Sequence, residues 1–344
     1  MAASATQTPV TSWSPQTSPG TYNYGTLTAG TSVSQTFTLA NSGGSATSAL
    51  TITLTGSAAF TKTADSCTGT SLGPRKSCTV TISYAPASAG QNDSGTLTAT
   101  AHKAAATASL TLLGAAAKAT PAISTSPGPA GPITASTFVT DTATLTGGFN
   151  PTGTIEFQLY STNDCSGPVV DDETVPVSGD GTYTTPDGYM PMEVGTYYWG
   201  ASYSGDASNN PVASGCGDES VTITPASPAI STTPSPGGLV GSTTVTDTAT
   251  LTGGFNPFGS IEFELFGPST TADCTSNALV YVQSAHVSAG IGQYTSNPFT
   301  PTTAGTYWWT ISYSSGDPNN NSAATTCGAE SVTISTASPA ISQN

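Results

Sequence analysis

The sequence predicts an all-β chain of three β-sandwich domains in series, with almost no helix. Three observations carry this expectation. Apolar residues alternate with a period of two through most of the chain, no segment shows a convincing 3.6-residue period, and the last two thirds repeat themselves.

The repeat is read directly. Thr140 to Pro151 (TDTATLTGGFNP) returns unchanged at Thr246 to Pro257, and Gly195-Thr196-Tyr197-Tyr198-Trp199 returns as Gly305-Thr306-Tyr307-Trp308-Trp309. Pro121-Ala122-Ile123-Ser124 recurs at Pro228 and again at Pro339, which sets a period of 107–111 residues. That is one sandwich domain, far longer than a solenoid unit. The expected domains are 1–117, 118–225 and 226–336, with 337–344 opening a further, truncated repeat.

Within each repeat the strands follow from alternation. Ile155, Phe157 and Leu159 alternate with Thr154, Glu156 and Gln158, and Ile261, Phe263 and Leu265 do the same. Tyr197, Trp199, Ala201 and Tyr203 should point inward, leaving Tyr198, Gly200 and Ser202 outward and placing Trp308 on the outer face. Gly-Gly-Phe-Asn-Pro clusters supply the turns. In the first third, Val33, Phe37 and Leu39 share a face, as do Leu50, Ile52 and Leu54, then Val80, Ile82 and Tyr84. Threonine and serine fill most alternate positions, and threonine's β-branch suits a pleated surface. The stretches 118–129 and 225–236 hold several prolines and read as short, semi-rigid joints. Three sandwiches in series would span roughly 110–130 Å.

In Gly-Thr-Tyr-Tyr-Trp the tyrosine lies two residues before a large core residue, which resembles the tyrosine corner of an immunoglobulin-type strand F. With Ala304-Gly305-Thr306-Tyr307, Tyr203-Ser204-Gly205-Asp206 and the closing Ser-Val-Thr-Ile strands, residues 119–336 resemble two tandem bacterial immunoglobulin-like repeats. Residues 8–113 resemble the Hydin-type immunoglobulin-like domain, through Tyr24-Gly25, Gly30-Thr31-Ser32, Asn41-Ser42-Gly43-Gly44, the Cys67 and Cys78 pair, and Tyr84-Ala85-Pro86. The resemblance implies three immunoglobulin-like domains of a bacterial surface protein, acting as spacers or interaction modules with no shared active site.

Charged residues make up 7% of the chain, against about 25% in soluble globular proteins. Residues 1–118 hold five basic and two acidic side chains; residues 119–344 hold 18 acidic ones and no lysine or arginine. Such a surface repels phosphate and excludes nucleic acid as a partner. It keeps a long rod soluble, or lets the positive first domain dock on an acidic repeat of a neighbouring copy in a head-to-tail assembly. No run approaches the roughly 18 apolar residues of a membrane span.

Six cysteines fall two to a third: Cys67 and Cys78, Cys165 and Cys216, Cys274 and Cys327. Matched placement in successive repeats reads as one disulfide per domain and hence an extracellular, oxidising setting. In an ordinary sandwich Cys165 and Cys216 would lie at opposite ends, so either a segment folds back along the sheet or the strand order differs. Met1-Ala2-Ala3-Ser4 has no apolar leader character, so the leader is expected to lie outside this chain.

Catalytic chemistry has no obvious seat. His102 and His286 occupy unrepeated positions, and Asp171-Asp172-Glu173 reads as a solvated loop rather than a carboxylate pair across a cleft. No cofactor is expected except calcium, for which Asp206, Asn209, Asp317 and Asn320 are candidates because their oxygens recur on equivalent loops. Trp308, with Phe266 and Phe258 in reach, is the candidate for stacking on a surface glycan. The remaining expected partners are a protein ligand and other domains of the same longer chain.

Overall fold

The computed structural model describes residues 8–101, 107–288 and 290–338. Among them there is no helix. Each third is a sandwich of two sheets whose facing sides form a separate core.

The first sandwich uses β1 (Thr11–Ser14), β2 (Thr21–Thr28), β3 (Val33–Asn41), β4 (Leu50–Gly56), β5 (Phe60–Asp65), β6 (Ser77–Tyr84), β7 (Asn92–Ala101) and β8 (Thr107–Ala117). Its sheets run β1-β3-β6-β5 and β2-β8-β7-β4, the four-on-four arrangement of an immunoglobulin-like domain. Phe37, Leu39, Val80, Ile82 and Tyr84 are fully buried, as their alternation requires. Val33 shares their face but stays exposed at the start of β3. Trp13 ties the two sheets together by donating its indole N–H to the Ala108 carbonyl.

The second sandwich uses β9 (Ala122–Gly128), β10 (Ile133–Thr134), β11 (Thr140–Thr146), β12 (Thr154–Tyr160), β13 (Val169–Pro176), β14 (Gly181–Thr184), β15 (Gly195–Tyr203), β16 (Val212–Ala213) and β17 (Glu219–Thr224). The third repeats it as β18 (Ala229–Pro234), β19 (Gly238–Leu239), β20 (Asp247–Thr252), β21 (Gly259–Phe266), β22 (Leu279–Val287), β23 (Gly292–Thr295), β24 (Gly305–Ser315), β25 (Ala323–Ala324) and β26 (Glu330–Ser335). Both pack a three-stranded sheet, β14-β11-β9 or β18-β20-β23, on a larger one, β10-β17-β15-β12-β13 or β19-β26-β24-β21-β22. Trp199 and Trp309 fill the two cores at 0% and 1% exposure.

The proline-rich stretches need correcting. Most of 118–129 and 225–236 is not linker but the opening strand of the next sandwich: β9 pairs with β11, and β18 with β20. The true joints are only 118–121 and 225–228.

The cysteines pair as 67–78, 165–216 and 274–327, with Cα separations of 5.2, 6.0 and 6.0 Å. The end-to-end difficulty resolves by folding back. After β15 the chain turns and returns antiparallel along its edge as β16, and Ser214 N donates to the Ala201 carbonyl. That return carries Cys216 to the level of the β12–β13 loop, where Cys165 waits with φ 52°. The bridge lies over the outer face of the sheet, and Gly217 is needed there because a Cβ would stand 2.4 Å from the Asn163 carbonyl oxygen.

Candidate functional site

The features of the repeats converge on the joints. Ala119 runs as a short parallel bridge beside Asn209: its N–H donates to the Ser208 carbonyl (2.8 Å) and its carbonyl accepts from Asn210 N (2.9 Å). Ala226 makes the same pair with Asn319 O and Asn321 N, both at 2.8 Å. Each linker is thus threaded into the domain it enters, and Ala119 is 4% exposed.

The shelf that receives the linker is the loop holding the calcium candidates. The Asp206 carboxylate accepts from Thr152 N, Ser208 N, Asn209 N and Asn209 Nδ2, and from the hydroxyls of Thr152 and Tyr203. Burial would raise its pKa, but these donors outweigh it and hold the carboxyl well below the usual carboxylate range. Asn209, fully buried, clamps Phe149 by accepting from its N–H (2.7 Å) and donating to its carbonyl (3.1 Å). Asn320 treats Phe255 identically at 2.7 and 2.8 Å, and also donates to Asp317. A calcium ion wants six to eight oxygens aimed at one point. Here N–H and O–H donors converge on the Asp206 and Asp317 carboxylates, so the loops form hydrogen-bonded knots. Among the described residues no group of three or more His, Cys, Asp or Glu is arranged to hold a metal.

The knots have a second purpose: they aim an aromatic ring at the preceding domain. In Gly-Gly-Phe-Asn-Pro the asparagines Asn150 and Asn256 take φ 45°, a left-handed turn that asparagine tolerates. The turn throws Phe149 against Gly30 of the first sandwich, where an added Cβ would lie 2.1 Å from the ring. Phe255 packs in the same sense on the core of the second sandwich. Asn319 closes that second joint by donating to the Met192 carbonyl (3.1 Å) and accepting from Val194 N (2.9 Å). At the first joint Lys118 Nζ donates to the Asp206 carbonyl instead. The sequence offered Phe149 and Phe255 only as turn residues and did not single out Asn319; the available signal was an aromatic inside a glycine turn, repeated without change.

The tyrosine corners are present: Tyr197 OH donates to the Glu193 carbonyl (3.1 Å) and Tyr307 OH to the Thr303 carbonyl (2.8 Å). Trp308 faces outward, half-buried, and its Nε1–H donates to Ser269 Oγ. Its register partner Phe266 is only 3% exposed, while Phe258 lies just before the opposite end of β21, roughly 25 Å away. The three aromatics therefore do not form one platform. Asp171, Asp172 and Glu173 lie in strand β13 rather than a loop, and Glu173 accepts from Asp187 N and Gly188 N. His286 stacks edge-on against Phe258; His102 lies outside the described residues.

A buried acidic cluster escaped the sequence reading. Trp199 and Glu219 are register partners on inward faces, and Asp141, fully buried, lies near enough for Glu219 to repel it. Burial first, and Glu219 second, push Asp141 up to about 6; burial and Glu330 push Asp247 up to about 7. Asp141 Oδ2, Glu219 Oε2 and Trp199 Nε1 have no hydrogen-bond partner, nor do Asp247 Oδ1 and Oδ2, Glu330 Oε2 and Trp309 Nε1.

No protein-family model matches the sequence, and no curated protein is significantly similar to it. Among solved structures, a three-domain I-band fragment of titin (I67–I69) is similar over 97% of this chain and 98% of its own, at 13% identity and a TM-score of 0.29. Red sea bream transglutaminase is similar over 62% of this chain and 31% of its own, at 14% identity and a TM-score of 0.28.

Proposed function

We propose that this chain is a non-catalytic spacer, a stiff section of a bacterial surface or secreted protein that holds other domains of the same longer chain at a distance. The observation that carries the reading is the joint: a four-residue linker threaded into the following domain, with a phenylalanine pressed on the preceding one. Such a joint leaves little free rotation between neighbours. Three disulfides suit an oxidising, extracellular setting. The acidic repeats make nucleic acid an unsuitable partner and keep neighbouring rods apart. No helix among the described residues is long and apolar enough to cross a membrane.

The test is Asn319→Ala in the full chain. The variant removes both bonds to the second domain and leaves the third domain's own knot on Asn320 intact. Small-angle scattering should show a broader distribution of overall lengths, and amide relaxation should show the third domain tumbling more independently. Each domain should keep its melting midpoint, because a surface hydrogen bond contributes only about 1 kcal/mol. If the wild-type domains already tumble independently, the chain is no spacer.

A further inference from the structure

The outer face of the second sandwich carries a glycine with no structural reason to be there. Gly200 sits mid-strand in β15, opposite Gln158, and its φ lies outside the left-handed region. The nearest atom to a Cβ at this position would be Tyr160 Cε2 at 3.9 Å, an ordinary contact. Glycine weakens a strand interior and marks places where something approaches the backbone closely. The sister domain shows that the fold accepts a side chain here: Thr310 occupies the same place and its Oγ1 donates to Glu264 at 3.2 Å.

Gly200 forms the floor of a cleft of about 200 Å³ lined by Glu156, Tyr160, Ser202 and Ser214, with the Cys165–Cys216 bridge at its rim. Its polar groups are left ready for a ligand. Tyr160 OH donates to Gln158 Oε1, and the Gln158 NH2 group makes no bond among the described residues. Glu156 receives only a 3.5 Å contact from Ser202 Oγ. Ser214 Oγ accepts from Ala201 N and retains its own hydrogen. The near-copy diverges at these points: Glu264 replaces Gln158, Thr325 replaces Ser214, and Phe266, 3% exposed, replaces the half-buried Tyr160.

We propose that this cleft binds one neutral pyranose ring of a glycan. A sugar hydroxyl both donates and accepts, matching a carboxylate beside a free amide NH2 and a hydroxyl, and its C–H face packs on an aromatic ring. The carboxylate opposes an acidic sugar, and an alkylammonium would leave the amide donors unused. The cleft is well below the size of drug-like pockets and suits a single ring. The site is independent of the spacer reading, whose test reads interdomain motion.

The experiment is an amide NMR titration of the full chain with the methyl glycosides of glucose, galactose, mannose and N-acetylglucosamine. At least one should shift Gly200, Ser202 and the loop around Cys165 with a Kd on the order of millimolar. Gly200→Thr should weaken binding at least tenfold while leaving the melting midpoint unchanged or higher, and Gln158→Glu, also taken from the sister domain, should weaken it with the cleft's shape kept. Silence from all four sugars, equal binding by Gly200→Thr, or a lowered midpoint in that variant would overturn the proposal.

Discussion

The two acidic repeats are expected to be about 2–4 kcal/mol less stable at pH 8 than at pH 4, the third domain losing the more. The cause is the buried pair Asp141 and Glu219 in one repeat, and Asp247 and Glu330 in the other. From an ordinary value of 3.8, Asp141 rises to about 6 and Asp247 to about 7. Between those limits the folded domain holds a proton that the unfolded chain has released. The stabilisation is therefore complete below pH 4 and is lost as pH rises through 6 to 7. No lysine or arginine lies between residues 119 and 344 to offset the charge. The backbone N–H groups of Thr142 and Ser126, which donate to Asp141, oppose its shift without cancelling it. Asp65 in the first sandwich works the other way: burial raises it, but Lys62 and the Thr68 and Cys67 donors bring it down to about 2, so its contribution is lost only in strong acid. Urea melts followed by tryptophan fluorescence at several pH values measure the slope. Asp247→Asn should flatten it for the third domain, and a profile flat from pH 4 to 8 in the wild type would sink the argument.

Trp309→Ala should cost about 3–5 kcal/mol, while Trp308→Ala, one residue away, should cost about 1 kcal/mol. Trp309 is 1% exposed, meets Tyr281 edge-on with centroids 5.8 Å apart, and packs with Ile261, Phe263 and Val332. Removing it leaves a cavity that two sheets cannot close. Trp308 has solvent on one side and loses mainly its bond to Ser269 and a partial cover over Phe266. A domain of this size has a total stability of roughly 5–15 kcal/mol, so the first variant should lower the third domain's melting midpoint far more than the second. Near-UV circular dichroism and thermal melts separate the two; equal losses would mean that the in-out alternation of β24 is misassigned.

Alternation was enough to place the strands and their inward residues, because a period of two leaves no freedom once one face is buried. It gave Tyr197, Trp199, Ala201 and Tyr203 as core and Trp308 as outward, and matched cysteine placement gave the three bridges. What stayed hidden depends on contacts between segments far apart in sequence. Asp206 and Asn209 looked like cation ligands because composition reports oxygens, not the N–H groups turned toward them. Asp141 stood out only as part of the repeated TDTATLTGGFNP segment, since nothing local says that a glutamate 78 positions later shares its interior. Proline content suggested that 118–129 and 225–236 were short joints throughout, yet proline is also tolerated on an edge strand, which is where Pro127 and Pro234 lie.

The unchanged TDTATLTGGFNP segment carries a consequence for how such a chain changes over generations. Because the ring that touches the previous domain and the loop that seizes the linker both belong to the incoming repeat, duplication copies the incoming half of the junction along with the domain. A change in domain number therefore carries the linker-seizing loop with it, and only the receiving surface on the preceding domain has to be met anew.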